Sequence, residues 1–107
     1  MSKFEKVLSC LDEGFSCSQA IPFVYGPQWN LECETALKIS AALGAGMSRT
    51  GNICGAVSSA VLVISLKHGH SKAGDTQGKE RIYSLIKLFI NNFTALNGSV
   101  KCSDLRL

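Results

Sequence analysis

The chain has 107 residues, of which 46% are apolar and 18% charged. That is enough for one core of ordinary size in one domain, and too much buried apolar surface for a disordered tail. The net charge is +3, with eleven Lys and Arg scattered among eight acids, which argues against a nucleic-acid-binding stripe.

The amino-terminal stretch "MSKFEKVLSCLDEG" carries Glu5, Asp12 and Glu13. It lacks the uninterrupted apolar core and cleavage site of a secretory signal, so a cytoplasmic location is expected. Within it Phe4, Val7, Leu8 and Leu11 recur at helical spacing and predict a first helix that Gly14 ends. In "FSCSQAIPFVYG", Ser16 and Gln19 form a capping-box pair, which starts a second helix at Cys17. Pro22 interrupts its hydrogen bonding, and Gly26 and Pro27 mark its end. Leu31 to Leu43 reads as a third helix whose small residues, Ala36, Ser40 and Ala41 among them, suit close approach of a neighbouring backbone.

"GAGMSRTGN" is a glycine-rich loop, and Asn52 is the expected N-cap of a fourth helix from Ile53 to about His68. That helix is apolar nearly all round and should be the central element. Its apolar run "AVLVISL" is far shorter than the roughly 20 residues of a membrane span, so no membrane partner is expected. A polar connection, "GHSKAGDTQGKE", leads to a fifth helix traced by Ile82, Leu85, Ile86, Phe89, Phe93 and Leu96 and stopped at Asn97 and Gly98. The expected architecture is an all-α bundle of about five helices. The long apolar faces of the last two would suit a homodimer.

Five cysteines, at positions 10, 17, 33, 54 and 102, are an odd number with no C-x-x-C pair. A disulfide framework and a closed zinc site are both poorly matched by that spacing. Cys17 and Cys54 fall in the first turns of predicted helices, where free N–H groups and the helix dipole favour a thiolate, the nucleophilic form of cysteine. Arg49 is five residues before Cys54 and is the expected nearby cation. Cys10 lies beside the first apolar stripe and reads as packing, while Cys33 stands between Glu32 and Glu34, which oppose ionisation. His68 and His70 read as solvated residues after a helix end.

"GFSCSQA" at 14–20, "LGAGMSRTGNICGAVSSAVLVISL" at 43–66 and a later cysteine together resemble the C_GCAxxG_C_C family of redox-active proteins. Carried over, its first two cysteines are Cys17 and Cys54, its third is Cys102, and Gly44, Gly46, Arg49, Gly51, Gly55 and Ala56 match its glycine-rich segment. Ser59 replaces a glycine of that motif, no fourth cysteine follows Cys102, and Cys10 and Cys33 lie outside the pattern.

The resemblance implies a cytoplasmic redox-associated protein, and the matched first-turn placement of Cys17 and Cys54 points to thiol-disulfide exchange with Cys54 attacking, Arg49 supporting the thiolate, and Cys17 or Cys102 resolving the mixed disulfide with a partner protein. The alternative is a non-enzymatic metal or iron-sulfur scaffold built on Cys17, Cys54 and Cys102. Neither reading identifies a cofactor.

Overall fold

Three of the helices start at side-chain caps. In this computed structural model, which describes residues 2–105, α1 (Lys3–Asp12) begins at Ser2, whose hydroxyl accepts the Glu5 N–H at 3.1 Å. The second helix, α2 (Cys17–Tyr25), begins at Ser16, whose N–H donates to Gln19 Oε1 at 3.1 Å, the reciprocal capping arrangement expected from the sequence. Pro22 lies within α2 without ending it, and a 3₁₀ turn at Gly26–Trp29 follows.

The third helix, α3 (Cys33–Ser40), tightens into a 3₁₀ turn at Ala41–Leu43. Next come α4 (Gly55–His68) and α5 (Thr76–Asn97), the latter capped by Asp75 Oδ1, which accepts from Gly78 N–H at 2.9 Å, and closed by Gly98. A single turn, α6 (Cys102–Leu105), completes the described chain. The fold is all-α: among the described residues the only β-type pairing is one antiparallel bridge, Ile53 with Lys101.

The hub is α2, which packs most extensively on α4 and α3 and then on α1. Its contact faces are small: Ser18 and Ala20 on α2, Ala36 and Ser40 on α3, and Gly55, Val57 and Ser59 on α4 are all buried. Small side chains let the backbones approach, so hydroxyls inside the core find carbonyls within reach. Ser18 Oγ donates to Ser40 O at 2.7 Å, Ser40 Oγ to Ala36 O at 2.6 Å, and Gln19 Nε2 to Leu37 O at 3.0 Å. Buried hydroxyls paired in this way avoid the desolvation cost of an orphaned polar group.

Three sequence expectations shift. The stripe of α1 faces outward, with Phe4 69% and Leu8 45% exposed, and Cys10 is the residue α1 buries. Because α1 docks chiefly on α2, only its Cys10 side finds a neighbour. The start of α4 lies two residues later than expected, because Ile53 is drawn into the bridge with Lys101 and Cys54 becomes the N-cap. Although α4 is central at its N-terminal half, Leu62 and Leu66 near its other end remain accessible. Among the described residues, no helix is long and apolar enough to cross a membrane.

The Ser18 to Ser40 bond ties α2 to the end of α3. Replacing Ser18 by Ala leaves the buried Ser40 carbonyl without that donor, and urea denaturation should show a loss of about 1–3 kcal/mol; an unchanged midpoint would mean that the bond carries no net stability.

Candidate functional site

The segment between α3 and α4 turns the wrong way for L-residues. Ala45, Gly46, Met47, Ser48 and Arg49 have φ of 55°, 71°, 69°, 55° and 69°, a run of left-handed backbone in which only one residue is glycine. Each non-glycine residue there costs about 1–2 kcal/mol relative to a right-handed conformation, so the turn persists only because its surroundings fix it. Hydroxyls supply much of that fixation. Ser48 Oγ donates to Ala42 O at 2.8 Å, Thr50 Oγ1 hydrogen-bonds to Gly46 O and to Met47 O, and Asn52 Nδ2 donates to Thr50 Oγ1 at 2.8 Å. Asn52, expected to cap α4, is instead committed to the turn.

Around this turn the sequence's small residues mark points of contact with cysteines. At Gly46, a Cβ would lie 2.6 Å from Cys102 Cβ and 2.7 Å from Asn52 N. At Gly55, it would lie 2.8 Å from Cys17 Sγ and 3.1 Å from Leu43 O, and at Gly44 it would meet Ser16 Cβ at 3.1 Å. The N-termini of α2 and α4 therefore meet, with the Cys17 sulfur against the residue that follows Cys54. Standard bond lengths then put Cys17 Sγ no more than about 8 Å from the Cys54 Cα.

Cys102 reaches the same place by backbone pairing. Cys54 N–H donates to Val100 O at 2.7 Å, and Cys102 N–H donates to Asn52 O at 2.6 Å. The two bonds flank the Ile53–Lys101 bridge and fasten the segment that carries Cys102 to the residues just before α4. Cys102 is buried and Cys54 half-buried, whereas Ile53 and Lys101 are exposed. Cys17 is the exposed member of the three.

Cys54 occupies the N-cap position, with backbone φ −53° and ψ 132°, and no side-chain oxygen caps α4. The sulfur makes no hydrogen bond to the first N–H groups of that helix, where a serine or aspartate would ordinarily accept one. Arg49 is exposed on the left-handed turn and lines, with Ser16, Gly44 and Ser48, a hollow beside the start of α2.

The two cysteines outside the motif are on the other side of α2. Cys10 and Cys33 both line a cleft with Lys6, Glu13 and Phe23. Burial, with the charge of Glu13 nearby, pushes the Cys10 thiol up from its ordinary value. Cys33 is exposed at the start of α3. All five cysteines are free thiols. Among the described residues, no group of three or more Cys, His, Asp or Glu side chains is arranged to hold a metal ion, so Cys17, Cys54 and Cys102 do not form a ready ligand set. His68 and His70 are exposed, as expected.

The sequence reading missed what attaches Cys102. One bridge pair leaves no periodicity to detect. It also missed the serine and threonine clamp on the turn, for which the closeness of Ser48 and Thr50 to the glycines is the available signal.

A family model described as "Putative redox-active protein (C_GCAxxG_C_C)" matches residues 15–106. The match takes in Cys17, the whole glycine-rich turn, Cys54 and Cys102, and it begins after Cys10. No curated protein and no solved structure matches the chain.

Two outcomes follow from the packing of this region. Gly46→Ala combines a left-handed conformation with a collision against Asn52 backbone, and should cost about 2–5 kcal/mol in chemical denaturation. Gly74→Ala, whose Cβ would meet nothing within 4 Å, should change stability by less than about 1 kcal/mol.

The raised Cys10 thiol gives a pH signature. Folding holds its proton to higher pH than the unfolded chain does, so the associated stability is intact below about pH 8.5 and is lost as pH rises through the folded-state value. The urea midpoint of the native sequence should therefore fall more between pH 7 and pH 10 than that of Cys10→Ala; equal falls would contradict the assignment.

Proposed function

The chain belongs to the C_GCAxxG_C_C family, and from that premise we propose that it is a thiol-disulfide redox protein acting through Cys54 and Cys17. The observation that carries this reading is the meeting of the α2 and α4 N-termini, with Cys17 Sγ against Gly55. In the proposed cycle the Cys54 thiolate attacks one sulfur of a substrate disulfide. A new S–S bond forms, the substrate bond breaks, and one substrate thiolate leaves. The Cys17 thiolate then attacks Cys54 Sγ, forming the Cys17–Cys54 disulfide and releasing the second substrate thiolate. Two electrons pass to the substrate, and a thiol reductant returns the protein to its dithiol form.

Cys54 is half-buried at a helix cap, Cys17 is exposed, and Cys102 is buried. Cys102 is the alternative resolving thiol, since its segment is hydrogen-bonded to the residues around Cys54. A reducing, cytoplasmic setting and a protein substrate complete the proposal. The metal or cluster scaffold has no geometric feature in its favour.

Glutathione disulfide provides the test. The native protein should release two equivalents of glutathione and form a Cys17–Cys54 bridge, whereas Cys17→Ser should stop after one equivalent with glutathione held on Cys54, and Cys54→Ser should lose the fast phase. Alkylation at neutral pH should modify Cys54 faster than Cys10 and Cys33. If Cys54→Ser reacts at the native rate, or if all three of those cysteines are alkylated equally fast, the assignment fails.

A further inference from the structure

The hollow that Arg49 lines takes no part in the exchange steps described so far. Its walls are Ser16 before α2, Ala41 after α3, and Gly44, Ala45, Ser48 and Arg49 of the left-handed turn. Its volume, about 490 Å³, falls in the range of small-molecule sites. The charge of the lining is one-sided, because Arg49 is its only ionisable residue. The one ion pair among the described residues joins Lys38 to Glu34, so no carboxylate of the described chain neutralises Arg49. Its guanidinium is a planar fork of donors that matches a carboxylate two bonds at a time.

A thiol lies within reach of the same hollow. The Gly55 Cβ position that is 2.8 Å from Cys17 Sγ is also 3.1 Å from Leu43 O. With standard peptide geometry, Cys17 Sγ is then no more than about 9 Å from the Cα of Gly44 in the hollow wall. A thiol and a carboxylate two residues apart on an extended chain span about 7 Å, so one small molecule can hold Arg49 and touch Cys17. Access also selects that sulfur: Cys17 is exposed and Cys54 is half-buried, and thiol-disulfide exchange proceeds at the sulfur the incoming thiolate can reach.

From these observations we propose that the hollow docks the reductant that reopens the Cys17–Cys54 disulfide, and that this reductant is a low-molecular-weight thiol bearing a free carboxylate, held by Arg49. The proposal rests on the thiol-disulfide reading of Cys17 and Cys54. The reductant thiolate, its proton given to solvent, attacks Cys17 Sγ. A reductant–Cys17 bond forms, the Cys17–Cys54 bond breaks, and Cys54 leaves as a thiolate. A second reductant thiolate attacks the reductant sulfur of this mixed disulfide, Cys17 leaves as a thiolate, and the reductant departs as its own disulfide. Two electrons have passed from two small thiols to the protein.

Glutathione and its diethyl ester test the proposal, since the ester carries the same thiol with both carboxylates masked. The full chain, oxidised to the Cys17–Cys54 disulfide, is mixed with each thiol, quenched with alkylating agent at intervals and read by mass. The ratio of the glutathione rate to the ester rate should fall about tenfold from the native protein to Arg49→Gln. Arg81→Gln, the same change of charge on an exposed position of α5, should leave the ratio at its native value. Arg49 is exposed, so Arg49→Gln should keep the native helical circular dichroism. An equal ratio in the native protein and Arg49→Gln overturns the carboxylate site alone, as does an equal fall in Arg81→Gln, which would mark general charge attraction. A native protein that forms no Cys17–Cys54 disulfide, or whose disulfide neither thiol reduces, overturns the thiol-disulfide reading and this site with it.

Discussion

Where α2 and α4 begin, the space available is that of a hydrogen atom. Gly55 admits the Cys17 sulfur on one side and the Leu43 carbonyl on another, and any larger residue would push the two helix tips apart. The rest of the molecule is arranged to make that approach possible. Serines and alanines line α2, α3 and α4 where they touch, so the helices pack backbone to backbone, and Ser18 and Ser40 turn the closeness into hydrogen bonds. Close packing of this kind is unforgiving of added volume. It also sets the N-terminal ends of α2 and α4 beside one another.

The left-handed turn serves the same end from the other direction. A right-handed continuation of α3 would carry the chain past the junction, whereas five residues of left-handed backbone fold it back so that Gly46 lies under Cys102 and Gly44 under Ser16. Four of the five are not glycine, so the conformation depends on its hydroxyl clamp and on the backbone bonds that Asn52 and Gly51 make with Cys102 and Ser103. The segment bearing Cys102 is thus part of the support of the turn as well as the carrier of a thiol.

Much of this was legible from residues alone. The five longer helices, the Ser16 cap, the stop at Gly98 and the small contact face of α3 follow from local patterns that tertiary structure had no reason to override. So did the placement of Cys17 and Cys54 at helix starts, because glycine and hydroxyl residues announce helix beginnings. What could not be read depended on pairings between distant positions. Ile53 leaves its expected helix to meet Lys101, and Asn52 is taken up by the turn instead of capping α4. The stripe on α1 has helical periodicity, but periodicity states only that a face is apolar, and the chain itself supplies little to cover it.

The account rests on Cys17 and Cys54 acting as one reversible dithiol. A redox titration in glutathione buffers, read by peptide mass mapping of alkylated protein, examines this directly. The account predicts that these two cysteines lose their reactivity together along a single two-electron curve and are recovered as one linked peptide, with Cys10 still a free thiol. Independent loss of the two, or a linked pair formed by Cys10 and Cys33 in their place, would contradict it.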